Sequence, residues 1–147
     1  MAILVALAAQ PTVADETAIF AAAGFHRQDG HWQSDCNDPG TASYEAGKIE
    51  QFADLNGDAL PEAVVTEGGA YCYGNTGTGF TLLTRSAAGK WLQLYHSEGV
   101  ATVLETRANG WPEIEIGGPG FCFPVLRWDG AAYTVHRHAY RGRHCTP

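Results

Sequence analysis

The spacing of hydrophobic residues changes near Gly24, from a pattern typical of a helix to one typical of strands. Residues 16–23 combine good helix formers with an acidic start, so they predict one short N-terminal helix that ends at Gly24. Downstream, short runs rich in β-branched and aromatic residues alternate with turn dipeptides such as Asp-Gly and Asn-Gly. This alternation predicts antiparallel strands at residues 25–28, 48–52, 62–66, 71–73, 80–84, 91–95, 101–105, 113–116, 121–128 and 132–136.

Two stretches of the chain resemble each other at an offset of about 50 residues. Residues 60–72 read Leu-Pro-Glu-Ala-Val-Val-Thr-Glu-Gly-Gly-Ala-Tyr-Cys, and residues 111–122 read Trp-Pro-Glu-Ile-Glu-Ile-Gly-Gly-Pro-Gly-Phe-Cys. An internal repeat indicates that one supersecondary unit occurs twice. Because aromatic residues also follow several tight turns, we expect an all-β fold of antiparallel hairpin repeats, propeller-like, with a small β-sandwich or barrel as the alternative.

Length and charge restrict the classes of protein and partner. The chain has 147 residues, of which 45% are hydrophobic, so we expect a single β-rich domain over residues 15–147. Nine basic and sixteen acidic residues give a formal charge of -7, which argues against a nucleic-acid partner because that requires a basic surface. The charge is uneven, since residues 127–147 carry four arginines and one aspartate, whereas residues 1–126 carry five basic and fifteen acidic residues.

The first fourteen residues contain an apolar run, residues 2–9, followed by small residues and then by acidic Asp15. This order resembles the second half of a secretory signal peptide, so we expect residues 1–14 to be a signal-peptide remnant cleaved near Ala14. The alternative is an apolar N-terminal segment that stays on the protein. No stretch approaches the roughly 20 apolar residues of a membrane-spanning helix, so we predict no transmembrane segment.

The four cysteines, Cys36, Cys72, Cys122 and Cys145, contain no C-x-x-C pair. An even number without the spacing of metal ligands predicts two disulfide bonds rather than a zinc cluster. Three pairings are open, and we prefer the sequential one, Cys36 with Cys72 and Cys122 with Cys145. Disulfides persist in oxidising compartments, so together with the signal-like N-terminus they predict a periplasmic or extracellular protein.

Residues 54–62, Asp-Leu-Asn-Gly-Asp-Ala-Leu-Pro-Glu, carry the most specific chemistry in the sequence. They place side-chain oxygens at the first, third, fifth and ninth positions of a tight loop and a main-chain carbonyl at the seventh, and Ca²⁺ prefers such hard oxygen ligands. The motif resembles the calcium loops of FG-GAP and VCBS repeats, the integrin-type propeller family. Because the protein itself fills this ligand set, a bound ion would be structural, and the alternative is a metal-free turn held by Asx hydrogen bonds. The expected ligands are Asp54, Asn56, Asp58, Leu60 and Glu62.

Ala59 and the equivalent loop of the second repeat carry further expectations. Ala59 stands where such loops have glycine, and a side chain with positive φ costs roughly 1 kcal/mol. We therefore expect weak calcium binding, with Kd on the order of 10⁻⁴ to 10⁻³ M. In the second repeat, Glu105, Arg107 and Glu113 fall at the first, third and ninth positions. Our hypothesis is that the Arg107 guanidinium neutralises both glutamates in place of an ion.

The sequence contains no phosphate-binding glycine loop, nucleophile elbow or zinc-protease motif, so we expect no enzymatic activity. A small, acidic β-domain with disulfides and such a loop resembles the periplasmic lysozyme inhibitors and related immunity proteins of the invertebrate-type inhibitor class. That resemblance implies a non-catalytic binding or inhibitor protein with a protein partner. The alternatives are an accessory subunit or domain of a cell-envelope assembly, and a small hydrolase, which would need a pocket with titratable groups of shifted pKa.

Overall fold

The structure, a computed structural model, describes residues 9–147, so the first eight residues of the expected signal-peptide remnant lie outside it. Helix α1 (Val13–Ala22) begins three residues before the predicted start because Thr12 caps it. The Thr12 side chain accepts a hydrogen bond from the Asp15 N–H, and the Asp15 carboxylate accepts one from the Thr12 N–H. Ala14, the expected cleavage point, therefore lies in the first turn of α1.

The described chain is mostly β, and all its strand pairs are antiparallel, as the sequence predicts. A first sheet has the strand order β3-β4-β5-β6, a second has the order β11-β10-β9-β8-β7, and β1 pairs with β2 in a separate hairpin. Neither sheet closes into a barrel within residues 9–147. The strands are β1 (His26–Gln28), β2 (His31–Gln33), β3 (Glu45–Ala53), β4 (Glu62–Gly68), β5 (Thr78–Arg85), β6 (Trp91–Glu98), β7 (Val100–Ala108), β8 (Trp111–Gly117), β9 (Phe123–Trp128), β10 (Tyr133–Tyr140) and β11 (Arg143–His144).

The two sheets pack face to face across a shared apolar core. Its buried side chains come from both sheets, chiefly Val64, Phe80 and Leu82 on one side and Ile114 and Leu126 on the other. These residues are at most 5% exposed. Burial of such aliphatic and aromatic side chains is the main force that holds the two sheets together.

A second core lies on the opposite face of the first sheet. Ala63, Val65 and Leu83 point there because alternate residues of a strand face opposite sides, and they contact Ile19 and Phe20 of α1. The first sheet is thus covered on both faces, which explains why six of the seven residues of β4 are buried, including both of its glutamates. The molecule has three layers, with α1 outermost on one side and the second sheet on the other.

The internal repeat corresponds to one copy in each sheet. At the offset of 51 residues, Ala63 and Val65 of β4 match Ile114 and Ile116 of β8. The first pair faces α1, and the second pair faces the first sheet. The same face of each repeat therefore packs against the layer before it, which is α1 for the first repeat and the first sheet for the second. In this sense the repeats stack head to tail.

The predicted strand at residues 71–73 is wrong, because these residues form a single helical turn. Helix α2 (Ala70–Tyr73) is followed by a 3₁₀ turn, Gly74–Thr76. Gly69, with φ of 134°, breaks the end of β4, and an added Cβ there would lie only 3.2 Å from the Tyr44 Cα atom. Glycine is needed at this position both for its positive φ and for the close approach of the neighbouring loop.

Two disulfides fasten the ends of the sheets, with the sequential pairing expected from the sequence. Cys36 bonds to Cys72, which ties the loop after β2 to α2, and their Cα atoms are 5.9 Å apart. Cys122 bonds to Cys145, which ties the C-terminal segment to the loop between β8 and β9, with a Cα separation of 5.6 Å. In residues 9–147, no helix has the length and apolar character needed to cross a membrane.

Candidate functional site

Residues 54–62, here called the 54–62 loop, join β3 to β4 and are folded by side-chain hydrogen bonds to their own main chain. The Asp54 carboxylate accepts hydrogen bonds from the N–H groups of Gly57, at 2.8 Å, and Ala59, at 2.9 Å. The Asp58 carboxylate accepts one from the Leu60 N–H at 2.8 Å. Such bonds are the usual way in which Asp residues stabilise tight turns.

The main chain of the loop is turned sharply at two residues with positive φ. Gly57 has φ of 80°, which glycine adopts without cost, and Ala59 has φ of 68°. The strain expected at Ala59 from the sequence is therefore present in the structure. Its methyl group carries a penalty of roughly 1 kcal/mol that glycine would not.

Glu62, the last expected ligand, is turned into the core between the sheets and is 1% exposed. Its carboxylate accepts hydrogen bonds from the Leu55 N–H at 2.6 Å and from the Thr84 hydroxyl at 2.9 Å. Burial raises the pKa of Glu62, and although these two hydrogen bonds lower it, the net shift is upward, assisted by the negative charges of Asp58 and Asp54.

The donor set of the 54–62 loop suits calcium in chemistry, because carboxylate, amide and carbonyl oxygens are its preferred ligands. Asp54 and Asp58 are exposed, and each carboxylate retains lone pairs beyond those used within the loop. Asn56 lies between them and accepts a hydrogen bond from the Asp58 N–H. Across residues 9–147, however, no three His, Cys, Asp or Glu side chains gather as a metal site. Asp54, Asn56 and Asp58 would hold an ion here, whereas Glu62 would first have to leave its partners in the core.

Arg107 does not neutralise Glu105 and Glu113, so that hypothesis is wrong. Its guanidinium instead donates to the Gly110 carbonyl at 2.7 Å and, across the sheet interface, to the Leu55 carbonyl at 2.8 Å. Arg107 is paired with Pro112 in the β7–β8 ladder, and the next residue, Glu113, points to the opposite face of β8. Arg107, from the second repeat, thus contacts and stabilises the 54–62 loop of the first repeat.

Glu113 forms ion pairs with arginines of two other strands in the second sheet. Arg127 of β9 and Arg137 of β10 donate to one of its carboxylate oxygens at 3.0 Å and 2.6 Å. Although burial would raise the pKa of Glu113, hydrogen bonds from Thr106, Arg137 and Arg127 outweigh it and hold the pKa at about 2. Glu113 is 2% exposed, so this is a buried charge with two cationic partners.

A third buried carboxylate, Glu67, organises a hydrogen-bond network that was not predicted from the sequence. It accepts bonds from the Ser34 N–H and hydroxyl at 3.0 Å and 2.6 Å, from the Tyr44 hydroxyl at 2.8 Å, and from the Tyr73 hydroxyl at 2.9 Å. Burial, followed by the nearby Glu67, raises the pKa of both tyrosines. The available signal was its spacing, because Glu67 follows Ala63 and Val65 at alternate positions and so shares their face of the strand, where a charge requires partners.

A cavity of about 320 Å³ adjoins this network. It is lined by apolar side chains and by Ser34, Tyr73, Thr81 and His96. The Thr81 hydroxyl and the His96 Nδ1 atom are 3.0 Å apart, and the hydroxyls of Ser34 and Tyr73 donate to Glu67. These four polar groups are therefore engaged in hydrogen bonds, whereas Asp35, which also lines the cavity, is exposed and lies 3.9 Å from the His26 Nδ1 atom.

The fold and these geometries define a two-sheet, disulfide-linked β-domain with a hydrogen-bonded acidic loop at one end. No family model, curated protein or solved structure matches the chain.

Proposed function

We propose that this protein is a non-catalytic, periplasmic or secreted binding protein of the inhibitor type, with a protein partner and a structural calcium loop. The two disulfides support an oxidising compartment. The head-to-tail stacking of the repeats resembles the order of successive blades in propeller-type folds, which supports kinship with those families.

The observation that carries the non-catalytic assignment is the state of the buried carboxylates. Glu62, Glu67 and Glu113 are each at most 3% exposed, and each accepts at least two hydrogen bonds from its own domain. A catalytic carboxylate needs an oxygen available to a reacting atom, whereas these three join strands, loops and sheets. Their roles therefore favour a rigid binding domain.

Charge supports a basic enzyme as the target. A formal charge of -7 on a small domain attracts a cationic partner over distances of about a Debye length. Enzymes of the lysozyme class are the specific targets that the resemblance of the sequence suggests.

Calcium is the second part of the proposal. The chemistry of the loop oxygens and their spacing support it, and an ion beside Asp54 and Asp58 would offset the repulsion between these two carboxylates. Bound there, calcium would fix the loop that Arg107 contacts from the second sheet.

The experiment that tests the function is a measurement of lysozyme activity with excess protein present. We expect stoichiometric inhibition of at least one among chicken-type, goose-type and invertebrate-type lysozymes. The control is the same chain with both disulfides reduced and alkylated with a neutral reagent, which keeps the charge but loses the fold. Full activity of all three lysozymes, or equal inhibition by the unfolded control, contradicts the proposal.

A further inference from the structure

Both repeats present an exposed aromatic residue directly before a disulfide-bonded cysteine. Tyr71 precedes Cys72 and is 60% exposed, and Phe121 precedes Cys122 and is 76% exposed. Each follows a glycine-rich segment at the end of an equivalent strand, β4 or β8. Such exposed aromatic side chains leave apolar surface in contact with water. Their occurrence at the same position of both repeats indicates a role in binding.

The two aromatic residues lie on neighbouring loops at the same end of the molecule. A Cβ built on Gly118, in the loop that carries Phe121, would lie 3.8 Å from the Thr76 side chain, in the loop that carries Tyr71. The two sheets pack face to face, and β4 and β8 are equivalent strands of the two repeats. The loops that follow these strands therefore lie side by side.

Both loops are held firmly in place. Each is anchored by its disulfide, and Cys122 adopts a positive φ of 70°, a conformation that non-glycine residues rarely hold without constraint. A rigid loop loses little conformational entropy when it binds, so its side chains are ready for a partner.

Phe121 belongs to an aromatic cluster that also carries positive charge. Its ring lies 6.3 Å from the ring of Tyr140, and the Arg141 guanidinium lies over Tyr140 at 5.2 Å. Arg143 is paired with Tyr140 across the β10–β11 hairpin. Within residues 9–147, neither Arg141 nor Arg143 forms an ion pair, whereas Arg127 and Arg137 are both used by Glu113.

We propose that this surface, here called the aromatic end, is the docking surface for an acidic, apolar-walled site on a partner protein. The aromatic end consists of Tyr71, Phe121, Tyr140, Arg141 and Arg143. Exposed aromatic and arginine side chains are the residue types that dominate binding energy at protein interfaces. The inference rests on the proposed function in taking a protein as the partner.

The local positive charge of the aromatic end and the overall negative charge of the domain together favour a protein partner with an acidic site. The arginines of the aromatic end fit carboxylates, while residues 1–126 carry ten more acidic than basic residues. A long polyanion such as a nucleic acid or an anionic membrane would meet that acidic body within about a Debye length and be repelled. A protein with a local acidic cleft in a basic surface matches both the aromatic end and the body of the domain.

The test is amide NMR of the oxidised full chain, titrated with a blocked peptide of alternating glutamate and phenylalanine. We expect shift changes confined to residues around the aromatic end, and a rise of about fivefold in Kd for Phe121→Ser and for Arg141→Glu. The controls are Leu92→Ser, since Leu92 is also exposed, and Arg27→Glu, since Arg27 lies 5.2 Å above Trp32, as Arg141 does above Tyr140. The spectrum of each variant reports whether it is folded.

The outcomes separate this inference from the proposed function. An absence of shifts at the aromatic end, or equal weakening by the control variants, overturns the inference. Lysozyme inhibition that Phe121→Ser and Arg141→Glu leave unchanged also overturns it, but the proposed function then stands on another surface. Peptide binding at the aromatic end without inhibition of any lysozyme supports the inference and removes lysozyme as the target.

Discussion

Glu62 and Glu113 occupy the same position in the two repeats and are equally buried, yet they are satisfied in different ways. Glu62 faces the second sheet, and it accepts hydrogen bonds from a neutral N–H group and a hydroxyl. Glu113 lies on the outer face of the second sheet and accepts bonds from two arginines. Neutral donors leave the pKa of Glu62 raised by burial, whereas Thr106 and the two arginines together bring that of Glu113 to about 2.

The first prediction concerns stability in acid. The pKa of Glu113 is about 2 in the folded protein, against an ordinary value of 4.5, so its charge stabilises the fold above the ordinary value. This contribution, about 3 kcal/mol, is lost as the pH falls from about 4.5 to about 2. Glu113→Gln should therefore lower the free energy of unfolding near neutral pH and weaken its dependence on pH in this range, as measured by urea denaturation.

Glu105→Gln is the matched control for this experiment, because Glu105 is exposed and belongs to the same pair of strands. It should retain the acid sensitivity of the wild type. A Glu113→Gln variant with the wild-type loss of stability between these pH values would show that the arginines do not hold the charge of this residue.

The second prediction concerns Ala59. Its φ of 68° favours glycine, so Ala59→Gly should raise the free energy of unfolding by about 0.5 to 1 kcal/mol. Ala88, in the β5–β6 turn, is not among the residues with positive φ, and Ala88→Gly should lower stability by a similar amount. Chemical denaturation of both variants provides the measurement, and a loss of stability in Ala59→Gly would be incompatible with strain in the 54–62 loop.

At the scale of elements, Arg107 connects an edge strand of the second sheet to the loop that joins the first two strands of the other sheet. Arg107→Lys should weaken this connection, because a single guanidinium nitrogen, Nη2, donates to both Leu55 and Gly110, and it lies one bond further from the main chain than a lysine Nζ. We expect a loss of about 1 kcal/mol and faster amide exchange in the 54–62 loop. Arg27→Lys, which removes a local bond to Gly30, should leave that loop unchanged. Equal exchange in both variants would contradict the role of Arg107.

The disulfide between Cys122 and Cys145 holds β11 and the loop that presents Phe121. Replacing both cysteines by serine should cost about 2 to 4 kcal/mol, because the closed loop is released in the unfolded chain and its ends are freed in the folded one. Amide exchange should quicken in β11 and around Phe121 and remain slow in β4 and β5. Unchanged exchange around Phe121 would mean that the disulfide does not hold this loop.

At the scale of the whole molecule, the antiparallel strands were predictable because hairpins depend on local signals, whereas the sequence left three cysteine pairings open and the structure shows the preferred one. Short runs of strand-forming residues between Gly-rich turns define the hairpins. The helical turn at Tyr71 was not predictable, because its aromatic residues favour a strand and only the neighbouring loop at Tyr44 and the disulfide determine its path.

The candidate site was predictable only in part for the same reason. The 54–62 loop was visible as a motif, since its turn depends on Asp54, Gly57 and Asp58 within nine residues. The partner of Arg107 lies 52 residues away on the other sheet, and nothing in the spacing of the second loop indicates Leu55. The burial of Glu62 and Glu67 likewise depends on how layers pack, which a single sequence does not report.

A pair of thermal melts directly tests whether the 54–62 loop binds calcium, as proposed. With Kd on the order of 10⁻⁴ to 10⁻³ M, about 10 mM calcium should stabilise the full chain by about 1 to 3 kcal/mol, which raises Tm by roughly 3 to 10 °C relative to EGTA. The rise should be absent with magnesium and in Asp58→Ala. Identical melts in calcium and EGTA, or an equal rise in Asp58→Ala, would contradict a structural ion in the 54–62 loop.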